Sequence, residues 1–268
     1  MTTPHYTSKF ATGAYGNTFL RALKSEFLKL RQRSMRLTVG IFGVLIVASL
    51  VVVTSILRSQ GITTTTNLSS VARQEPFFTL CAVIIGALAV TSEYSSNTMR
   101  TSTLATPKRG KALVAKVLAT ALYMGMVAVV IEALSALGLV ISSGGELEAD
   151  GQAVSTLALL VAISTIVAVM SLGIGYLVRS IAATMGIMLS LILLLPLVGL
   201  IFLQFETYRT HIPPLYPSSL ISSVLETETS ILIVPGTSYS PGAAFAILCG
   251  YALAAVFFGY LRYRKSDV

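Results

Sequence analysis

Apolar residues along this chain gather into long unbroken runs divided by polar stretches, and only one segment carries the period of a surface helix. From Asn17 to Met35, Leu20, Leu23, Phe27 and Leu30 recur every three or four residues, while Arg21, Lys24, Lys29, Arg31 and Arg33 take the other positions. That spacing predicts a basic amphipathic helix over 17–35, capped by Asn17 or Thr18. Such a helix either lies in a membrane interface with its cations near anionic lipid or leads, solvated, into the run that follows. Ahead of it, residues 1–16 are polar and aperiodic, with Pro4, Gly13 and Gly16, and read as a flexible tail.

Six apolar runs follow, each near the length of about 20 residues that a helix needs to cross a bilayer. They are predicted at about 37–57, 71–92, 113–141, 156–178, 182–205 and 243–261. The first begins only after Arg36 and is followed by further runs and no cleavage site, so it is not a signal peptide. The third is longer than the hydrocarbon core, and part of it should project into water. The fifth contains Pro196, which predicts a kink. Between the fifth and sixth, Glu206–Gly242 carries prolines at 213, 214, 217, 235 and 241. Within it Leu215–Leu225 and Ile231–Val234 are too short to cross. They are either re-entrant helices dipping into the outer face or an external loop resting on the headgroups. The expected architecture is an all-α membrane protein with six transmembrane helices in one domain, 17–268.

Composition turns this pattern into an exclusion. Of 268 residues, 54% are hydrophobic and 11% charged, against roughly 25% charged in a soluble domain. With a mean hydropathy of +0.80, a water-soluble fold would expose far more apolar surface than one core can hold. Six spans also leave no room for a separate enzyme domain.

The net charge of +8 would suggest nucleic acid in a soluble protein, but here its placement matters more than its sum. The N-terminal region, the loops after spans two and four and the C-terminus hold Lys9, Arg21, Lys24, Lys29, Arg31, Arg33, Arg36, Arg100, Lys108, Arg109, Lys111, Lys116, Arg179, Arg262, Arg264 and Lys265. The opposite side holds only Arg58, Arg73 and Arg209, together with most of the acids. The positive-inside rule then puts both termini in the cytoplasm, supports an even number of spans and removes nucleic acid as a partner.

The loop between spans two and three is longer than a connector requires. It opens on Glu93, passes through a polar stretch with Met99 and Leu104, and ends at Pro107-Lys108-Arg109-Gly110. A short helix with apolar knobs and basic ends suits docking into a groove on another protein; a solvated loop serving only orientation is the alternative. Glu93, Asn97-Thr98, Leu104, Pro107, Arg109 and Lys116 together resemble the first cytoplasmic loop of type-2 ATP-binding-cassette (ABC) exporter permeases. Asn97 stands where that family often has glycine. Ser25-Glu26-Phe27-Leu28-Lys29-Leu30-Arg31 is similar to the acid-x-x-Lys-Leu-Arg pattern of its interfacial helix. Leu172 to Ser180, with Gly173, Gly175 and Arg179, is similar to the fourth span of its actinobacterial members.

This resemblance implies a bacterial plasma-membrane subunit that pairs with a second permease copy, identical or not, and binds two copies of an ABC ATPase. Coupling to that ATPase would fall on Glu93, Asn97, Thr98, Met99, Arg100, Leu104, Pro107, Lys108 and Arg109, with the coupling helix at about 95–105. Glu26, Lys29 and Arg31 would belong to the interfacial helix. The cargo would be an apolar or amphipathic drug, lipid or peptide. No cofactor is expected on this chain: Gly110-Lys111 is followed by Ala112 and lacks the upstream glycine of a P-loop, so ATP and Mg fall to the partner. His5 and His211 are too few and too scattered for a metal hydrolase.

Glu132 is the one ionisable residue deep in a span. It could bind a cationic substrate, take a coupling proton, or be a protonated acid bonded between helices. Gly125, Gly138, Gly173, Gly175 and Gly186 are read as close-packing positions, and Cys81 and Cys249 as small packing residues. The rival functions are an ATP-independent secondary transporter or channel, for which one buried acid is thin support, and a membrane anchor or regulator that moves nothing.

Overall fold

The computed structural model describes residues 18–60, 67–96, 109–143, 151–225 and 239–265, and every regular element among them is a helix. The amphipathic segment forms α1, Phe19–Lys29. Thr18 holds the N-cap position in an extended conformation, but its side chain makes no capping hydrogen bond. The helix ends well before Met35. Leu30 turns into the core and Gln32 is extended (φ −61°, ψ 160°), so a second helix, α2, starts at Arg33–Ser59. The break has a packing cause: it lets α1 lie against the third span, with the Phe27 ring edge-on to Tyr123 at 6.0 Å, while α2 enters the bundle on its own axis.

A 3₁₀ segment, Leu68–Gln74, leads directly into α3, Glu75–Ser95. The long helix α4 covers Arg109–Ser143 and α5 covers Ala153–Val178. The fifth span is composite: α6, Ile181–Leu189, a π turn at Ser190–Leu194, α7 at Leu195–Gly199 and a 3₁₀ turn at Leu200–Phe202. The irregularity expected at Pro196 therefore takes the form of a π turn one turn upstream. Proline has no N–H to donate and its ring presses on the carbonyl four residues earlier, here Ile192, and widening that turn relieves both problems. Beyond it come α8, Glu206–His211, a 3₁₀ turn at Pro213–Leu215 and α9, Pro217–Leu225. The last helix is α10, Pro241–Lys265. Ile231–Val234 lies outside the described residues.

Six helical stretches are long and apolar enough to cross a membrane: Arg33–Ser59, Leu68–Ser95, Gly110–Ser143, Ala153–Val178, Ile181–Phe202 and Pro241–Lys265. The chain is a multi-pass membrane protein. Its core centres on α5, which packs on α3, α4 and α10. Outward, Val44, Val52, Leu197, Leu253 and Phe257 remain exposed, as a lipid solvent allows. α9 buries Leu220, Ile221, Val224 and Leu225 against α10 and α5. The hydroxyls of Tyr208 and Tyr216 hydrogen-bond each other beside Gly199, tying this segment to the end of the fifth span.

Contact of α3 with α5 is close enough to involve backbone. A Cβ on Gly86 would run into the Ala168 carbonyl oxygen and lie 2.8 Å from the Ser171 Cβ. The Ser171 hydroxyl crosses the same seam to donate to the Val83 carbonyl at 2.7 Å. On the far side of α5, a Cβ on Gly173 would lie 2.5 Å from the Ala255 carbonyl carbon of α10. Small residues of this kind replace the hydrophobic drive that helices lack in lipid. The expectation fails at Gly186, where an added Cβ would meet nothing within 4 Å among the described residues.

Candidate functional site

α1, α3, α4, α5 and α10 come together at one end of the bundle, the end that carries Lys29, Lys111, Arg179, Arg262, Arg264 and Lys265. There the last full turn of α3 places Glu93, only 6% exposed, between α1 and α4. Its Oε1 accepts hydrogen bonds from Lys116 Nζ at 2.6 Å and from Lys29 Nζ at 2.9 Å. Lys29 also donates to Glu26 Oε1 at 2.6 Å, while Lys116 reaches Glu26 Oε2 at 3.0 Å and the Ala89 carbonyl at 3.3 Å. Two carboxylates and two ammonium groups thus alternate around a ring built from three helices.

Burying charge is costly unless each ion keeps an opposite partner. The ring meets that condition, since each member touches ions of opposite sign. Burial alone works to lower the pKa of Lys29, but the hydrogen bonds and charges of Glu26 and Glu93 outweigh it and leave it raised. Lys29 is therefore held as a cation. A cavity of about 380 Å³ opens beside the ring, lined by Glu26, Lys29, Gln32, Glu93, Lys116 and Thr120 among others. Glu93 Oε2 and Thr120 Oγ1 are buried without a protein hydrogen-bond partner among the described residues. The cavity is roomy enough for water, and the charged groups on its wall could hold one against them. The junction is strongly paired and loosely packed, a combination that permits movement without leaving a bare charge.

Tyr94, the next residue, faces other partners. The Arg179 guanidinium lies over its ring, 5.5 Å from the centroid. Arg179 forms the turn between α5 and α6 in the left-handed conformation, at φ 61° and ψ 15°, the one positive-φ residue other than glycine among those described. Its N–H closes α5 on the Gly175 carbonyl at 2.8 Å. Helix ends of this type usually take glycine or asparagine, and holding another residue there costs roughly 1–2 kcal/mol.

Of the residues that the sequence points to, the structure brings Glu93, Glu26 and Lys29 into one ring. Arg31 stands exposed in the turn after α1 and takes no part in it. Asn97, Thr98, Met99, Arg100, Leu104, Pro107 and Lys108 lie outside the described residues, between the end of α3 and Arg109, which opens α4. Glu132 is buried in α4, sixteen residues beyond Lys116, or about 24 Å along a helix rising 1.5 Å per residue. Its Oε1 and the Ser135 hydroxyl one turn on are both buried without a partner among the described residues. Lys116 enters the sequence argument as one of the orienting charges and as part of a family pattern, yet it is the more buried cation of the ring. A lysine seven residues inside a helix start, ahead of a long apolar run, was the available signal.

Comparison with known proteins adds an independent line. No curated protein matches the chain. A family model described as "ABC-2 family transporter protein" matches residues 74–268, a stretch that holds α3 to α10 and with them Glu93, Lys116, Arg179 and Glu132. With six membrane-length helices and a match over most of its length, the chain belongs to the ABC-2 transporter family, as a transmembrane permease subunit that works with an ABC ATPase.

Proposed function

We propose that this permease exports an apolar or amphipathic compound across a bacterial plasma membrane, driven by ATP that two separate ATPase subunits hydrolyse. The basic end of the bundle faces the cytoplasm, by the charge asymmetry of the loops, and a second permease copy completes the pathway. The carrying observation is the ring of Glu26, Lys29, Glu93 and Lys116. It ties the surface helix α1 to the two spans that flank the polar segment 97–108, so a partner that docks on this segment pulls on α3 and α4 together. ATP binding draws the ATPase subunits together, and the displacement enters the membrane through these two helices. ATP and Mg stay on the partner; this chain supplies the docking segment and the lever.

The test is to co-express the chain with its ATPase, purify the complex through this chain and measure ATP hydrolysis and transport in lipid. Arg109→Glu should lower ATPase recovery several-fold. Glu93→Gln should leave recovery intact while hydrolysis and transport lose their proportion. Wild-type recovery, hydrolysis and transport in both variants would remove the coupling assignment.

Glu132 and Ser135 supply a polar point in the outward half of α4, and the same reading assigns them to the substrate path. Glu132→Gln should keep assembly and change transport of cationic compounds. Unchanged transport of every substrate tried would make the acid structural.

A further inference from the structure

Glu93 and Tyr94 are neighbours on a helix, so their side chains leave α3 about 100° apart. Glu93 goes to the ionic ring on α1 and α4, whereas Tyr94 goes to Arg179 at the α5–α6 turn. Arg262 at the end of α10 also lies within electrostatic reach of Tyr94, and α10 is joined to α5 there by the Tyr176 and Tyr263 rings, 5.3 Å apart. The end of α3 is therefore gripped from two sides.

Arg179 stands against the preference of its own backbone, because its left-handed conformation favours glycine. Its Nε is buried without a hydrogen-bond partner among the described residues, and so is the Tyr94 hydroxyl. Turn formation does not call for an arginine here, whereas a planar cation laid over an aromatic face does, the ring being its partner.

Resting on the coupling reading above, we infer that Tyr94 and Arg179 form a second transmission contact: they carry displacement of the α3 end into the α5–α6 turn and the fifth span, separately from the branch through the ionic ring. Arg179 and Tyr94 are positioning residues that touch neither ATP nor cargo. The π turn lies nine residues past the start of α6, so this branch leads into the most irregular of the six spans.

The experiment uses the full complex with its ATPase in lipid nanodiscs and follows amide hydrogen exchange with and without a non-hydrolysable ATP analogue. The peptides to follow cover 109–120 and 176–190. In the wild type both should respond. Arg179→Gly and Tyr94→Leu should cut the response at 176–190 by at least about five-fold, the lower end of ordinary site-to-site coupling, and leave 109–120 responding. Arg179→Lys and Tyr94→Phe, which keep a cation over a ring, should restore it. Arg179→Gly should melt no lower than the wild type, because glycine suits the turn. Tyr94→Leu repeats the test with the turn untouched.

A wild-type response at 176–190 in both the Gly and Leu variants would overturn this inference and leave the coupling reading standing. Loss of both responses together would also overturn it, since the contact would then only hold α3 in place. A wild-type complex in which neither peptide responds would overturn the coupling reading as well.

Discussion

α3 meets α5 through backbone and meets α1 and α4 through charge. On the first side Gly86 lets the Ala168 carbonyl into the space of a side chain, and the Ser171 hydroxyl bonds across the seam. On the second, four ions alternate around a cavity of about 380 Å³. Backbone in contact with backbone has no rotamers to give, so the α3–α5 seam has one geometry or none. Long lysine side chains beside open space can follow a moving carboxylate for ångströms while staying paired. One helix thus carries a fixed bearing on one face and a compliant coupling on another, a division suited to a part that must transmit a push without coming loose.

The sharpest way to break this contrast is to overfill the bearing. Gly86→Leu places four carbon atoms where even one is blocked by backbone, and it should exceed the roughly 3 kcal/mol at the top of ordinary overpacking losses. Little monodisperse protein should survive size-exclusion chromatography; normal recovery would mean that the seam is looser than the geometry states. Next comes the compliant side. Lys116→Met leaves Glu26 and Glu93 sharing one exposed cation, and breaking a buried pair costs about 3 kcal/mol or somewhat more. A lowered melting temperature should recover when Glu93→Gln is added, and a double variant as unstable as the single would deny the pairing.

Lys29→Met should cost less. Its side chain is 40% exposed, so solvent screening holds the loss below about 1 kcal/mol. Because its pKa is raised in the fold, the stability it adds is fully present below its unfolded value near 10.4 and is lost as pH rises through the folded value. The melting-temperature gap to wild type should be constant from pH 6 to about 9 and should narrow above pH 10.4; a gap that narrows on acidification would contradict the ring. The smallest effect belongs to Gly186→Ala, which has open space around it and should be neutral or stabilising by up to about 1 kcal/mol through helix propensity alone. The chain has no tryptophan, so tyrosine fluorescence is the natural readout of melting.

The sequence made the spans legible because lipid demands a continuous apolar run, and that demand is local. The end of α1 was not legible: Leu30 keeps the helical period, no glycine or proline stops it, and the turn exists because α4 is there to receive Phe27. Lys116 went without a role for the same reason. A lone lysine in an apolar stretch has no visible partner until folding brings Glu26 and Glu93 to it. Gly86 and Gly186 cannot be told apart in the sequence, since a glycine in a span looks the same whether a neighbouring backbone touches it or not. Arg179 reads in the sequence as a charge ending a span; the Tyr94 ring under its guanidinium is distant in sequence and meets it only in the fold. Pro196 marked the right place, although the helix absorbs it by widening ahead of the ring.

The ionic ring has an electrical consequence. Moving one elementary charge through a membrane potential of 100 mV takes about 2.3 kcal/mol, which would load any stroke that carried Glu93 or Lys116 alone. Two carboxylates and two ammonium groups sum to zero, so a displacement that carried all four together would do almost no work against the field, at any membrane potential.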